Sequence, residues 1–149
     1  MTYASIVVGT DGSPTAQRAV AQAAALAAAD GARLVVVTAY HEGDRTAGDV
    51  TPDDLPEDIR HVLSDRVQAE ELVSSAREVA REAGVERTVV QALPGEPAEA
   101  LLEAARDFAA DLIVVGSRGL DSHAHFILGS VASSVSHHAP CDVLIAHTT

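Results

Sequence analysis

The chain is expected to fold as an α/β domain, a three-layer arrangement in which an open, parallel, five-stranded sheet carries helices on both faces. Three observations predict this. Residues 6–9, 34–40, 112–115 and 143–146 are short, almost wholly apolar runs, as strands covered on both faces require. Segments of helical periodicity separate them. Alternation of strand and helix in turn calls for parallel strands joined by right-handed crossovers. At 149 residues the chain fits one domain, which at this size buries roughly 70% of its unfolded surface. No repeat, linker or second domain is visible.

Strand one, 6–9, leads into Thr10-Asp11-Gly12-Ser13-Pro14, where Ser13 suits the N-cap and Pro14 the first helical position. An alanine-rich helix then runs to about Asp30, and Gly31 can supply a left-handed C-terminal cap. Residues 34–40 form the second strand. The polar, acidic stretch 41–56 reads as a long loop. From Glu57 the pattern is helical, with Ile59, Val62, Leu63, Leu72, Val73, Ala76, Val79, Ala80 and Ala83 in one apolar stripe that Gly84 closes. Residues 85–93 make a third strand whose partial alternation suggests a sheet edge. Residues 97–108 make a helix burying Leu101, Leu102, Ala105 and Phe108, followed by the buried strand 112–115. Gly129-Ser130 opens the last helix, Ala139-Pro140 stops it, and 143–146 is the fifth strand.

Charge narrows the function classes. The chain has 22 acidic residues and 10 basic ones, all arginine, for a net charge of −12. That balance argues against nucleic acid as a partner, because such binding relies on cationic contacts to phosphate. The absence of lysine excludes a Walker-type phosphate lysine, a Schiff base and a lysine nucleophile. No stretch reaches the ~18 apolar residues of a membrane helix. The first residues lack a basic region followed by an apolar run, and Cys141 stands alone, so the cytoplasm is the expected location.

The chemistry-bearing motif is Gly116-x2-Gly119-x9-Gly129-Ser130, between a buried strand and a helix. Glycines there would let the backbone approach phosphate oxygens and adopt positive φ. The helix beginning at Ser130 would offer free N–H groups and its positive dipole end to an anion, and Ser130 a hydroxyl. The alternative is that the glycines only turn the chain, with Ser130 as a plain N-cap. Asp11 lies just past strand one, as Gly116 lies past strand four. If those strands are neighbours where strand order reverses, both face one crevice. The Asp11 carboxylate could then accept from ribose or adenine or hold a metal-bound water; otherwise it stabilises its own turn. His123, His125, His137 and His138 lack the spacing of a zinc site and read as surface residues. Cys141 reads as packing, and the acidic residues 44–58 as solvated surface.

On Ile6 to Ser13, Val114 to Gly119, Gly129 to Ala132 and Ala139-Pro140-Cys141, the chain resembles the universal stress protein family over essentially its whole length. The family's ATP-binding branch carries G-x2-G-x9-G-[ST], and every position is satisfied here. The resemblance implies a Rossmann-like sheet of the adenine nucleotide alpha hydrolase-like kind, in the order 3-2-1-4-5. It also implies a homodimer paired through the last strand (Val143, Leu144, Ile145). It implies that Thr10 and Asp11 lie near adenosine and that Ala39 meets the adenine through its backbone. Val115 and Gly116 would border the ribose, and Arg118, Gly119, Gly129, Ser130 and Val131 would surround the phosphates. Two departures are Asp142, where the family often has proline, and Ala132, where some ATP-binding members have a hydroxyl.

The expected function is a dimeric, ATP-binding stress-response regulator. The alternatives are a slow ATPase or self-phosphorylating phosphotransferase, and a nucleotide-free scaffold. Efficient phosphoryl transfer needs metal ligands, a positioned nucleophile and cations; the motif offers only Arg118 and Asp11, which favours binding over turnover. Bringing polyanionic ATP to a chain of −12 calls for Mg²⁺ or Mn²⁺ on the phosphates and for screening salt.

The acidic, lysine-free composition also suggests adaptation to molar salt, where the Debye length falls to about 3 Å; a GC-rich genome is the competing explanation. The expected outcome is a melting temperature that rises from dilute buffer to molar KCl. A melt equally stable in dilute buffer would end the salt reading.

Overall fold

Strands that are apolar on both sides must be covered on both sides, and the alternation of side chains along each strand decides which layer covers which residue. The structure, a computed structural model, describes residues 2–40, 57–117 and 129–147, with the side chains of 57–64 outside that description. The elements in chain order are β1 (Ser5–Gly9), α1 (Pro14–Asp30), β2 (Arg33–Tyr40), α2 (Glu57–Ala83), β3 (Thr88–Pro94), α3 (Pro97–Asp107), β4 (Leu112–Gly116), α4 (Ser130–His138) and β5 (Asp142–Ala146). All pairings are parallel, in the order β3-β2-β1-β4-β5.

The core divides by strand parity. Ile6, Val8, Leu34, Val36, Leu112 and Val114 face the layer of α1 and α2. Val7, Val35, Val37, Ile113 and Val115 face the layer of α3 and α4. Each is almost fully buried, worth about 1.5–3 kcal/mol per large aliphatic side chain. Helix α1 meets the sheet through Ala16, Ala19, Ala23, Ala24 and Ala27, with Val20 the one larger buried residue, so the small side chains set a close approach. Among the described residues the ion pairs are Arg66–Glu70 and Arg81–Glu78, both exposed, where such a pair adds at most about 0.5 kcal/mol. Apolar burial therefore dominates the stability.

Local signals act where expected. Ser13 accepts from Ala16 N, Pro14 opens α1, and Gly31 caps it at φ 67°. Two expectations need correction. On α2 the buried stripe is Ala69, Val73, Ala76 and Ala80, while Val79 is 39% exposed and Ala83 is exposed. The 3.6-residue repeat carries Val79 past the rim of the stripe, and Ala83 is the last residue of the helix. Strand β3 begins at Thr88, because Val85 is buried as the α2 exit: its N–H donates to Ala80 O. Residues 41–56 and the side chains of Ile59, Val62 and Leu63 lie outside the described residues.

The amino end of the sheet is tied by polar groups. The Asp111 carboxylate accepts from the N–H groups of Ala4 (2.9 Å) and Ser5 (3.0 Å), and Asp30 accepts from Tyr3 N (2.9 Å). Arg33 donates to Ser5 Oγ and Phe108 O, and its guanidinium carbon lies 5.1 Å from the Phe108 ring centroid. Burial raises the pKa of the Asp111 carboxyl, but the hydrogen bonds from Ala4, Ser5 and its own N–H lower it by more, and it ends below the usual carboxylate value. Stability from this carboxylate is therefore full above the unfolded value near ~4 and is lost as pH falls through the lower folded value. Asp111→Asn is expected to cost about 1 kcal/mol at neutral pH, with the gap to wild type closing in acid melts. A gap that is the same at every pH would contradict this account.

Candidate functional site

Chain path alone creates a crevice at the carboxyl ends of the strands. From β1 the chain moves outward to β2 and β3, then returns through α3 to β4 on the other side of β1, so the loops after β1 and β4 leave toward opposite layers. Val8 pairs with Val114, which sets Gly9–Asp11 and Val115–Ser117 at the same end of the sheet.

The first wall is the β1–α1 loop. Thr10 N donates to Val37 O at 2.9 Å, which continues the ladder one residue past β1. Gly12 N then donates to Thr10 Oγ1 (3.2 Å) and Ser13 N to Asp11 Oδ1 (2.9 Å), so two consecutive side chains fold the loop back on itself. Gly12 takes φ 81° to make that turn. Asp11 is exposed, with its carboxylate oriented by the Ser13 N–H. The turn-stabilising role foreseen for Asp11 is thus present in the geometry.

The second wall is the end of β4 and the start of α4. Ser117 N donates to Ala146 O, and Gly129 N donates to Ser117 O, each at 2.9 Å. The second bond closes the base of the segment between them and brings Gly116-Ser117 beside Gly129-Ser130. Gly129 is the N-cap of α4, with φ −59° and ψ 159°, and makes no side-chain capping hydrogen bond. Ser133 N returns to Gly129 O as the first helical bond, so the N–H groups of Ser130, Val131 and Ala132 have no partner inside the helix. No acidic residue stands in that first turn. An uncapped helix N-terminus with its dipole uncompensated is suited to an anion. The expectation of positive φ is corrected at two of the motif glycines, since Gly129 is at −59° and Gly116 is extended as the last residue of β4, while Gly119 lies outside the described residues. The plain N-cap role considered for Ser130 falls to Gly129 instead.

Other candidate residues fall into place as follows. Ala39 is half-buried near the end of β2, beside β3. Val115 is buried in the α3–α4 layer, so it can offer a ligand only its backbone; Val131 packs against the same cluster. Ser130 is exposed. Arg118, Gly119, His123 and His125 lie outside the described residues. His137 and His138 are exposed, with ring centroids 6.4 Å apart. Cys141 is half-buried, and burial first, then Asp142 and Asp111, push its thiol pKa upward, away from the thiolate that nucleophilic chemistry needs. Among the described residues no group of three or more His, Cys, Asp or Glu side chains could hold a metal ion. None of their helices is long and apolar enough to cross a membrane. The backbone closure through Ser117 escaped sequence reading, since a main-chain bond across the segment leaves no side-chain signal.

Comparison with known proteins agrees with this architecture. The family model described as the universal stress protein family matches residues 2–147. A universal stress protein of Mycobacterium tuberculosis is 40% identical over 150 aligned positions, covering 99% of this chain and 98% of its own length. A universal stress protein solved in complex with cAMP superposes with a TM-score of 0.76 at 34% identity, over 100% of both chains. The universal stress protein from Archaeoglobus fulgidus in complex with dAMP gives 0.70 at 28% identity, covering 97% of this chain and 98% of its own. The chain belongs to the universal stress protein family.

Proposed function

We propose that this protein binds an adenine nucleotide, ATP carrying Mg²⁺ or Mn²⁺, in the crevice between β1 and β4, and acts as a dimeric stress-response sensor. The observation that carries the reading is the uncapped N-terminus of α4 held beside Gly116-Ser117 by the Gly129–Ser117 bond. That arrangement offers backbone donors to phosphate. Phosphates would lie against Gly129, Ser130 and Val131, joined by Arg118 and Gly119. Thr10, Asp11 and the backbone of Ala39 would take the adenosine, and Val115 and Gly116 the ribose. The relatives solved with cAMP and dAMP support an adenine nucleotide as the ligand class.

The metal would ride on the phosphates, with Asp11 able to hold one of its waters. Asp11 already accepts from Ser13 N, and that commitment favours an orienting role over general-base chemistry. Binding rather than turnover is therefore the primary activity. Strand β5 stands at the edge of the sheet, and its half-buried Val143, Leu144 and Ile145 would supply the dimer contact.

Calorimetry in molar KCl tests the reading. Mg-ATP is expected to bind near one per chain, more tightly than AMP, and to weaken with excess EDTA. Ser130→Asp, which sets a carboxylate against the phosphates, is expected to abolish the signal. No heat from folded wild type, or unchanged affinity in Ser130→Asp, would overturn it.

A further inference from the structure

Two glycines flank the β1–α1 loop, and each is met by a leucine from a different layer. A Cβ on Gly9 would lie 3.0 Å from Leu101 Cδ1 of α3. A Cβ on Gly12 would lie 2.7 Å from Leu72 Cδ2 and 3.3 Å from Leu72 Cδ1 of α2. The loop that carries Thr10 and Asp11 is thus held from both faces of the sheet. The two leucines differ in their other duties. Leu101 is 3% exposed and part of the α3–α4 core cluster, so its contact with Gly9 follows from general packing. Leu72 is half-buried and belongs to neither core cluster. Its neighbour Val73 is buried in the α1–α2 cluster and already anchors that turn of the helix.

We propose that Leu72 is a positioning residue for the ligand loop, so that α2 and occupancy of the crevice are coupled. The inference rests on the adenine-nucleotide reading and adds a regulatory element to the same site. Gly12 is at φ 81°, a conformation that glycine adopts freely, and the turn is held on one side by hydrogen bonds that Thr10 Oγ1 accepts from Gly12 N and Asp11 Oδ1 from Ser13 N. The Leu72 methyls close the other side and limit where the Asp11 carboxylate can sit. A shift of α2 moves Leu72 and releases the loop. By reciprocity of linked equilibria, a ligand that needs the loop in place favours α2 in place. The three atoms nearest to a Cβ on Gly12 all belong to Leu72.

The test separates positioning from packing by measuring Mg-ATP affinity and melting temperature for wild type and four variants. Leu72→Ala is expected to weaken binding about tenfold, Leu72→Val less, and Leu72→Met to hold affinity near wild type. Val73→Ala is expected to lower the melting temperature by several degrees, roughly as a lost core side chain does, and to leave affinity unchanged. Equal affinity in wild type, Leu72→Ala and Leu72→Val would overturn the proposal. So would a loss in Val73→Ala that matches the loss in Leu72→Ala. Failure of wild type itself to bind would overturn the nucleotide reading, a result distinguishable from either.

Discussion

Strands β1 and β4 lie side by side although most of the chain separates them, and the rest of the molecule depends on that pairing. It buries Ile6, Val7, Val8, Leu112, Ile113 and Val114 at 0–1% exposure, with a helical layer on each face. It also makes the strand order reverse, which opens a crevice at the carboxyl ends and seals the amino ends. The sealing is done by Asp111, Asp30 and Arg33, whose polar groups take up backbone and side-chain partners of the first strand and its flanks. One end of the sheet is therefore closed by its own hydrogen bonds, while the other presents loop backbone and an uncapped helix to solvent.

Much of this was legible because the signals are local. Ser13-Pro14 and Gly31 bound α1 through hydrogen bonds and dihedral angles within a few residues. The apolar runs locate the strands because a strand covered on both faces has no polar positions to spare. Helix α2 was legible as a helix but less so in its face: Ala69 is 3% exposed and Val79 is 39%. Alanine at a close helix contact carries little hydrophobic signal, and a valine at the rim carries a misleading one. The strand order came from family resemblance, since local periodicity says nothing of which strand lies beside which.

What escaped the sequence is non-local. Asp111 grips the N–H of Ser5 across 106 residues, and no spacing rule points from one to the other. Leu72 looked like one more member of an apolar stripe, yet its methyls rest on Gly12 rather than in the core. In the candidate site the split is similar. The glycine motif and Asp11 were visible as residue types, while the hydrogen bond that closes the motif, Gly129 N to Ser117 O, became visible only in three dimensions. Electrostatics adds the remaining tension. A chain of net charge −12 repels an anion at long range, while the uncapped start of α4 presents backbone donors and a helix dipole at short range.

Hydrogen exchange with and without saturating Mg-ATP would locate the ligand proposed for the crevice between β1 and β4. Exchange is expected to slow at the amides of residues 10–13, 39, 115–119 and 129–132, with the amino-end residues 3–5 unaffected. Protection absent from those segments, or appearing instead at the amino end of the sheet, would contradict it.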